Sequence, residues 1–192
     1  MQQLGNGLSA AEHYEDALPV RKAELAMRRR LGDSESNLLA VQSNLANSYQ
    51  MLGRYDEALR MRREVYSGTY RIYGEDSYDA LVETLNLALV LRDTGNRPEA
   101  EELLRARIPV AERSLGREHY VYFRLCWAYA NTLGDAADAT FDDLVQAEAL
   151  LDDTYTRFRR VMGDGHPYTA KIHDCLLATR EDLARARASS HA

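Results

Sequence analysis

The chain has 192 residues, 45% hydrophobic and 28% charged, with a formal net charge of −6. That length makes one domain or a short array, and the acidic balance argues against nucleic acid as the main partner, because binding phosphates takes a basic field. No apolar stretch approaches the length of a membrane span, and the two cysteines, Cys126 and Cys175, make no disulfide framework.

Taken in order, Met1-Gln2-Gln3-Leu4-Gly5 reads as the tail of a helix, like Gln50-Met51-Leu52-Gly53. A helix is predicted next, from Ala11 to Arg30, with Pro19 in its first turns, where a missing N–H matters least. The stretch 31–72 divides into helix A, Ser36 to Leu52, and helix B, Tyr55 to Tyr70. Leu38, Leu45, Ala46, Tyr49 and Leu52 fall on one stripe of helix A at helical spacing. Tyr55, Ala58, Leu59, Val65 and Tyr66 are the expected inner face of helix B, and Gly53 between them suits a left-handed cap.

The stretch 73–114 repeats the pattern, with helices from Ser77 to Thr94 and from Pro98 to Ser114. Pro109 deletes a backbone bond in the second and predicts a bend near Arg105. In 115–161 an aromatic helix runs from Tyr120 to Leu133, followed by a longer loop from Gly134 to Phe141. Thr140 with Asp143 three residues on predicts a capped helix that continues to Val161. The last stretch, 162–192, holds one helix from Pro167 to Arg187 with a polar outer face at Lys171, Asp174, Arg180, Glu181 and Arg185, as suits a terminal cap. Ala188 to Ala192 are expected to be disordered.

These stretches are copies of one unit. At an offset of 42 residues Gly32 falls on Gly74, Asn44-Leu45-Ala46 on Asn86-Leu87-Ala88, Gly53 on Gly95 and Ala58 on Ala100. Leu115-Gly116 opens a third copy and Met162-Gly163 a fourth, after 47 residues because the loop before Leu144 is longer. Residues 1–30 supply the second half of a leading unit, since Tyr14, Ala17 and Leu18 match Tyr55, Ala58 and Leu59. A fixed period of this size is the signature of a solenoid.

The motifs Met162-Gly163-Asp164-Gly165-His166-Pro167-Tyr168-Thr169, Asn44-Leu45-Ala46 and Gly53-Arg54-Tyr55-Asp56-Glu57-Ala58 resemble the tetratricopeptide (TPR) family, and within it the 42-residue kinesin light chain-like repeat. The resemblance implies an all-α fold, a right-handed solenoid of helical hairpins with about three full repeats and terminal half-repeats. It also implies that the A helices line a concave groove that binds protein or peptide partners. The His-Pro pair is missing from the first two loops and is His119-Tyr120 in the third, and the Asn-Leu-Ala motif is lost after the second unit.

No catalytic motif is present: no phosphate loop, no H-E-x-x-H, no G-x-S-x-G. The chain is therefore read as a non-enzyme with no cofactor and no metal. His119 and His166 occupy the same loop position in successive units, which points to a residue dictated by the repeat. The acidic loop of Asp135, Asp138, Asp142 and Asp143 lacks the alternating ligands and central Gly of a calcium site. The basic clusters Arg28 to Arg30 and Arg60 to Arg63 are read as solvated helix faces.

What remains is the face of each A helix opposite its packing stripe. The candidate groove residues are Asn44, Asn47, Leu85, Asn86, Leu89, Arg92, Arg124, Trp127 and Asn131. Asn amides donate and accept at once, which suits holding an extended peptide backbone. Leu85, Leu89 and Trp127 would supply an apolar pocket, and Arg92, Arg124 and Lys171 would favour an acidic ligand. TPR domains that clamp C-terminal carboxylates are matched at Asn47, Asn86 and Arg124, but Ser43 and Ala128 stand where two clamp cations belong, so that ligand is not expected.

The expected function is a non-catalytic module binding a short peptide segment in the groove. The alternative is a structural or adaptor subunit docked through its end and convex faces. The leading half-repeat leaves an apolar face uncovered, so a longer array, a covering partner or self-association is expected there. No membrane partner is expected, and no signal peptide precedes the first helix, so the expected location is cytoplasmic.

Overall fold

The computed structural model describes residues 14–134 and 139–189. Within them the chain forms eight α-helices and no strand: α1 Tyr14–Arg30, α2 Glu35–Met51, α3 Tyr55–Tyr73, α4 Tyr78–Asp93, α5 Arg97–Leu115, α6 Tyr120–Gly134, α7 Phe141–Met162 and α8 Pro167–Ser189. The predicted helix start at Ala11 and helix tail at Met1 to Gly5 lie outside the described residues. Ala188 and Ser189, expected to be disordered, are the last turn of α8 instead; Ser189 Oγ donates to the Arg185 carbonyl and continues the turn. No helix among the described residues is long and apolar enough to cross a membrane.

Contacts divide the chain into two compact units, Met1–Asn96 and Arg97–Ala192. In the first, each helix packs on the next, α1 on α2, α2 on α3 and α3 on α4. The second follows the same rule, with α6 also touching α8. In the sequence frame α2, α4, α6 and α8 are A helices and α1, α3, α5 and α7 are B helices.

The turns between A and B helices follow directly from the repeat. After α2 the chain closes with Gly53 N–H to the Gln50 carbonyl at 3.0 Å and Arg54 N–H to the Tyr49 carbonyl at 2.9 Å. The same pair recurs 42 residues later, from Gly95 to Arg92 at 3.0 Å and from Asn96 to Leu91 at 2.8 Å. Both glycines sit at positive φ, 69° and 76°, where a Cβ would be strained. Helix starts are built as regularly. Ser34 and Ser77 accept from the N–H groups of Asn37 and Ala80, and Thr140 with Asp143 forms the predicted reciprocal box.

The core of the first unit is Leu18, Leu25, Val41, Leu45, Tyr49, Ala58 and Val90, with Leu38, Leu52 and Leu59 packed partly against it. These include Leu38, Leu45, Tyr49 and Leu52 of the predicted stripe of helix A, and its Ala46 is fully buried. Tyr55 departs from the expectation: it is the first residue of α3 and is 39% exposed, having no turn before it to cover its ring. Gly68 lets α2 and α3 approach closely, since a Cβ there would stand 2.8 Å from Leu39 Cδ1. In the second unit Phe123 and Phe158 are fully enclosed and meet edge to face at 5.3 Å. On α7 Ala147, Leu151 and Phe158 are buried, and Leu150 and Tyr155 on the same helix are half-buried. Helix α5 runs through Pro109 as one element, with Pro109 on its exposed side.

Candidate functional site

In the first unit α2 and α4 run close enough for their side chains to bond. Gln50 Nε2 donates to Asp93 Oδ2 at 2.9 Å and Ser43 Oγ to Glu83 Oε1 at 2.7 Å. On this pair of helices Asn47 is exposed, and Asn44, Asn86 and Leu89 are half-buried. Leu85 is only 6% exposed, so it presents little surface and contributes mainly to the core. The cation expected at Arg92 is engaged locally, its Nη2 lying 3.4 Å from Asp93 Oδ1. Among the described residues the side-chain amides of Asn44, Asn47 and Asn86 have no hydrogen-bond partner, and none is sealed from solvent.

A cavity of about 300 Å³ opens between α2, α3 and α4, with Leu39, Asn44, Val65, Asp79, Val82 and Glu83 among its walls. Behind it lies Arg62, 3% exposed. Its Nη1 donates to Ser43 Oγ at 2.8 Å and to Glu83 Oε2 at 3.3 Å, while its Nε finds no partner. Burial pulls the guanidinium below its ordinary pKa, and the Glu83 carboxylate opposes that shift. The Arg60–Arg63 cluster is thus not wholly a solvated face. Arg60 and Arg63 are exposed, whereas Arg62 points inward and is held by a carboxylate 21 residues on. The α-helical period puts Arg62 on the stripe of Ala58 and Val65, and that was the available signal.

In the second unit Arg124, Trp127 and Asn131 are half-buried on α6. The Arg124 guanidinium lies 4.8 Å from the Tyr168 ring centroid and 5.8 Å from that of Tyr120. Its Nη1 donates to both phenol oxygens, at 3.2 Å to Tyr120 and 3.4 Å to Tyr168. Lys171 Nζ approaches the same Tyr168 ring at 5.6 Å. Neither cation has a carboxylate partner among the described residues. Trp127 packs 5.5 Å from Tyr168 and donates its indole N–H to Cys175 Sγ at 3.4 Å. The Asn131 amide, like the three in the first unit, has no partner there.

His119 and His166 fill the structural role that their repeat position indicates. His119 Nδ1 accepts from Val121 N–H and His166 Nδ1 from Tyr168 N–H, both at 3.1 Å, which serves the unpaired donors at the starts of α6 and α8. Among the described residues no cluster of His, Cys, Asp or Glu could hold a metal ion. Asp135 and Asp138 lie outside them. Asp143 is occupied by the Thr140 cap and by Arg97 at 3.2 Å, and these hydrogen bonds, the Thr140 backbone N–H first, hold its carboxyl below the usual range.

Residues 38–79 and 84–120 match the family model of the tetratricopeptide repeat. No curated protein matches in sequence. Among solved structures, a candidate kinesin light chain of Podosopora anserina with nearly identical TPR-like repeats shares the fold, at TM-score 0.72 and 20% identity over 98% of this chain and 84% of that one. A singly substituted form of that protein aligns to the same extent. BtubC (BKLC) from P. vanneervenii aligns at TM-score 0.63 and 16% identity, over 98% of this chain and 78% of its own. At these identities the structural likeness speaks to the fold alone.

Proposed function

We propose that the chain, which carries tetratricopeptide repeats over residues 38–79 and 84–120, is a protein-interaction module that holds a short peptide segment of a partner on its A-helix faces. The observation that carries this is the set of unspent polar groups on the A helices of each unit. Asn44, Asn47, Asn86 and Asn131 each keep an amide donor and acceptor with no partner among the described residues. An extended peptide offers alternating N–H and C=O groups that match them.

Arg124 and Lys171, paired with rings and not with carboxylates, favour an acidic residue in the segment bound by the second unit. The half-buried Trp127 supplies an apolar anchor beside them. Holding a peptide in this way involves no bond-making chemistry.

A display library of random peptides panned against the full chain tests the proposal. Peptides should be recovered with an acidic residue enriched. Asn86→Ala and Arg124→Ala should each weaken the selected binders by about threefold to tenfold, the net worth of a hydrogen bond or two. Binders indifferent to both substitutions would contradict the assignment of these faces.

A further inference from the structure

The cavity of the first unit differs in chemistry from the Arg124 face, and we infer that it takes a cationic side chain, lysine or arginine, of the bound segment. This rests on the peptide-binding reading and narrows it.

Three features of the cavity point the same way. First, its size, about 300 Å³, stands at the bottom of the range for small-molecule sites and fits one long side chain better than a cofactor. Second, its floor is aliphatic, with Leu39 and Val65 buried and Val82 half-buried, which is the surface that a lysine or arginine stem covers. Third, its charge is unbalanced. Asp79 and Glu83 both line it, and Arg62 behind Glu83 offsets only one of them.

The two carboxylates are not equivalent. Glu83 accepts one bond from Ser43 and one from Arg62, which leaves lone pairs on each oxygen. Asp79 stands at the exposed start of α4 and has no partner among the described residues. Asn44 also lines the cavity, and its amide oxygen is a further acceptor for a guanidinium or ammonium head. An anion is disfavoured, since Arg62 behind the cavity is 3% exposed and its Nη1 is already shared between Ser43 and Glu83.

The test is a titration of the isotope-labelled full chain, followed by amide chemical shifts. The probes are N-acetyl-arginine methylamide and N-acetyl-lysine methylamide at millimolar concentration, with N-acetyl-glutamate methylamide as control. The cationic probes should move the amides of Ala40, Asn44, Asp79 and Val82, and the control should not. Asp79→Asn should weaken the effect by about threefold, as for an exposed charge pair, and raised salt should do the same. Ala40→Phe, an exposed position on the rim, should abolish it by filling the space.

Equal shifts from the glutamate probe, or none from either cation, would overturn the inference. The library panning separates this from the wider reading. Peptides that bind the second unit while leaving the cavity amides still would sink the cation site and keep the function. Cation shifts with no recoverable peptide would support the site and sink the function.

Discussion

At the scale of single residues, the two cysteines have opposite surroundings although both lie on A helices. Cys126 is 1% exposed, and burial pushes its thiol from 9.0 to about 12, with a hydrogen bond to Tyr122 opposing. Burial likewise raises the Tyr122 phenol. The folded chain therefore keeps the Cys126 proton above pH 9.0, where the unfolded chain gives it up. Between that value and about 12 the unfolded state binds fewer protons, so stability should fall as pH rises through this window. Cys175 is half-buried and shares its sulfur with the Trp127 N–H. Iodoacetamide at mildly alkaline pH should label Cys175 in the native protein and reach Cys126 only after urea is added, as peptide mass mapping would show. Native labelling of Cys126 would mean that α6 is less tightly enclosed than its packing indicates.

At the scale of helices, the join between α2, α3 and α4 depends on Arg62, Ser43 and Glu83. Replacing Glu83 by Ala leaves a guanidinium that is 3% exposed with no carboxylate, and this should cost about 3–5 kcal/mol in urea unfolding. Replacing both Arg62 and Glu83 by Met should cost far less, because an apolar pair of similar volume needs no compensation. A loss below about 1 kcal/mol for Glu83→Ala, the level of an exposed pair, would show that the network is solvated. This join also marks where the sequence stops being readable. Helix limits, glycine turns and the Thr140 cap follow from local rules and recur at a constant offset, so they could be placed to within a few residues. The pairing of Arg62 with Glu83, the burial of Leu85 and the capture of Arg92 by Asp93 depend on what a neighbouring helix or side chain offers, and periodicity within one helix does not carry that information.

At the scale of the whole molecule, the repeat sets the chemistry of the faces more firmly than it sets any ligand. Asn44 and Asn86 occupy one repeat position in successive units and share one condition, an amide with no partner among the described residues. That equivalence was legible from the 42-residue offset. The difference between the faces was only partly so. The acidic cavity by Asp79 and Glu83 was not foreseen, whereas Arg124 and Lys171 were named and have rings for neighbours. The most direct measurement is an amide shift map of the labelled chain with a library-selected peptide bound. Binding should move Asn44, Asn47 and Asn86 on the A helices of the first unit, or Arg124, Trp127 and Asn131 on α6 of the second. Shifts gathered on the exposed residues of α3 and α7, such as Arg60, Arg63, Asp152 and Arg160, with those six unmoved, would contradict it.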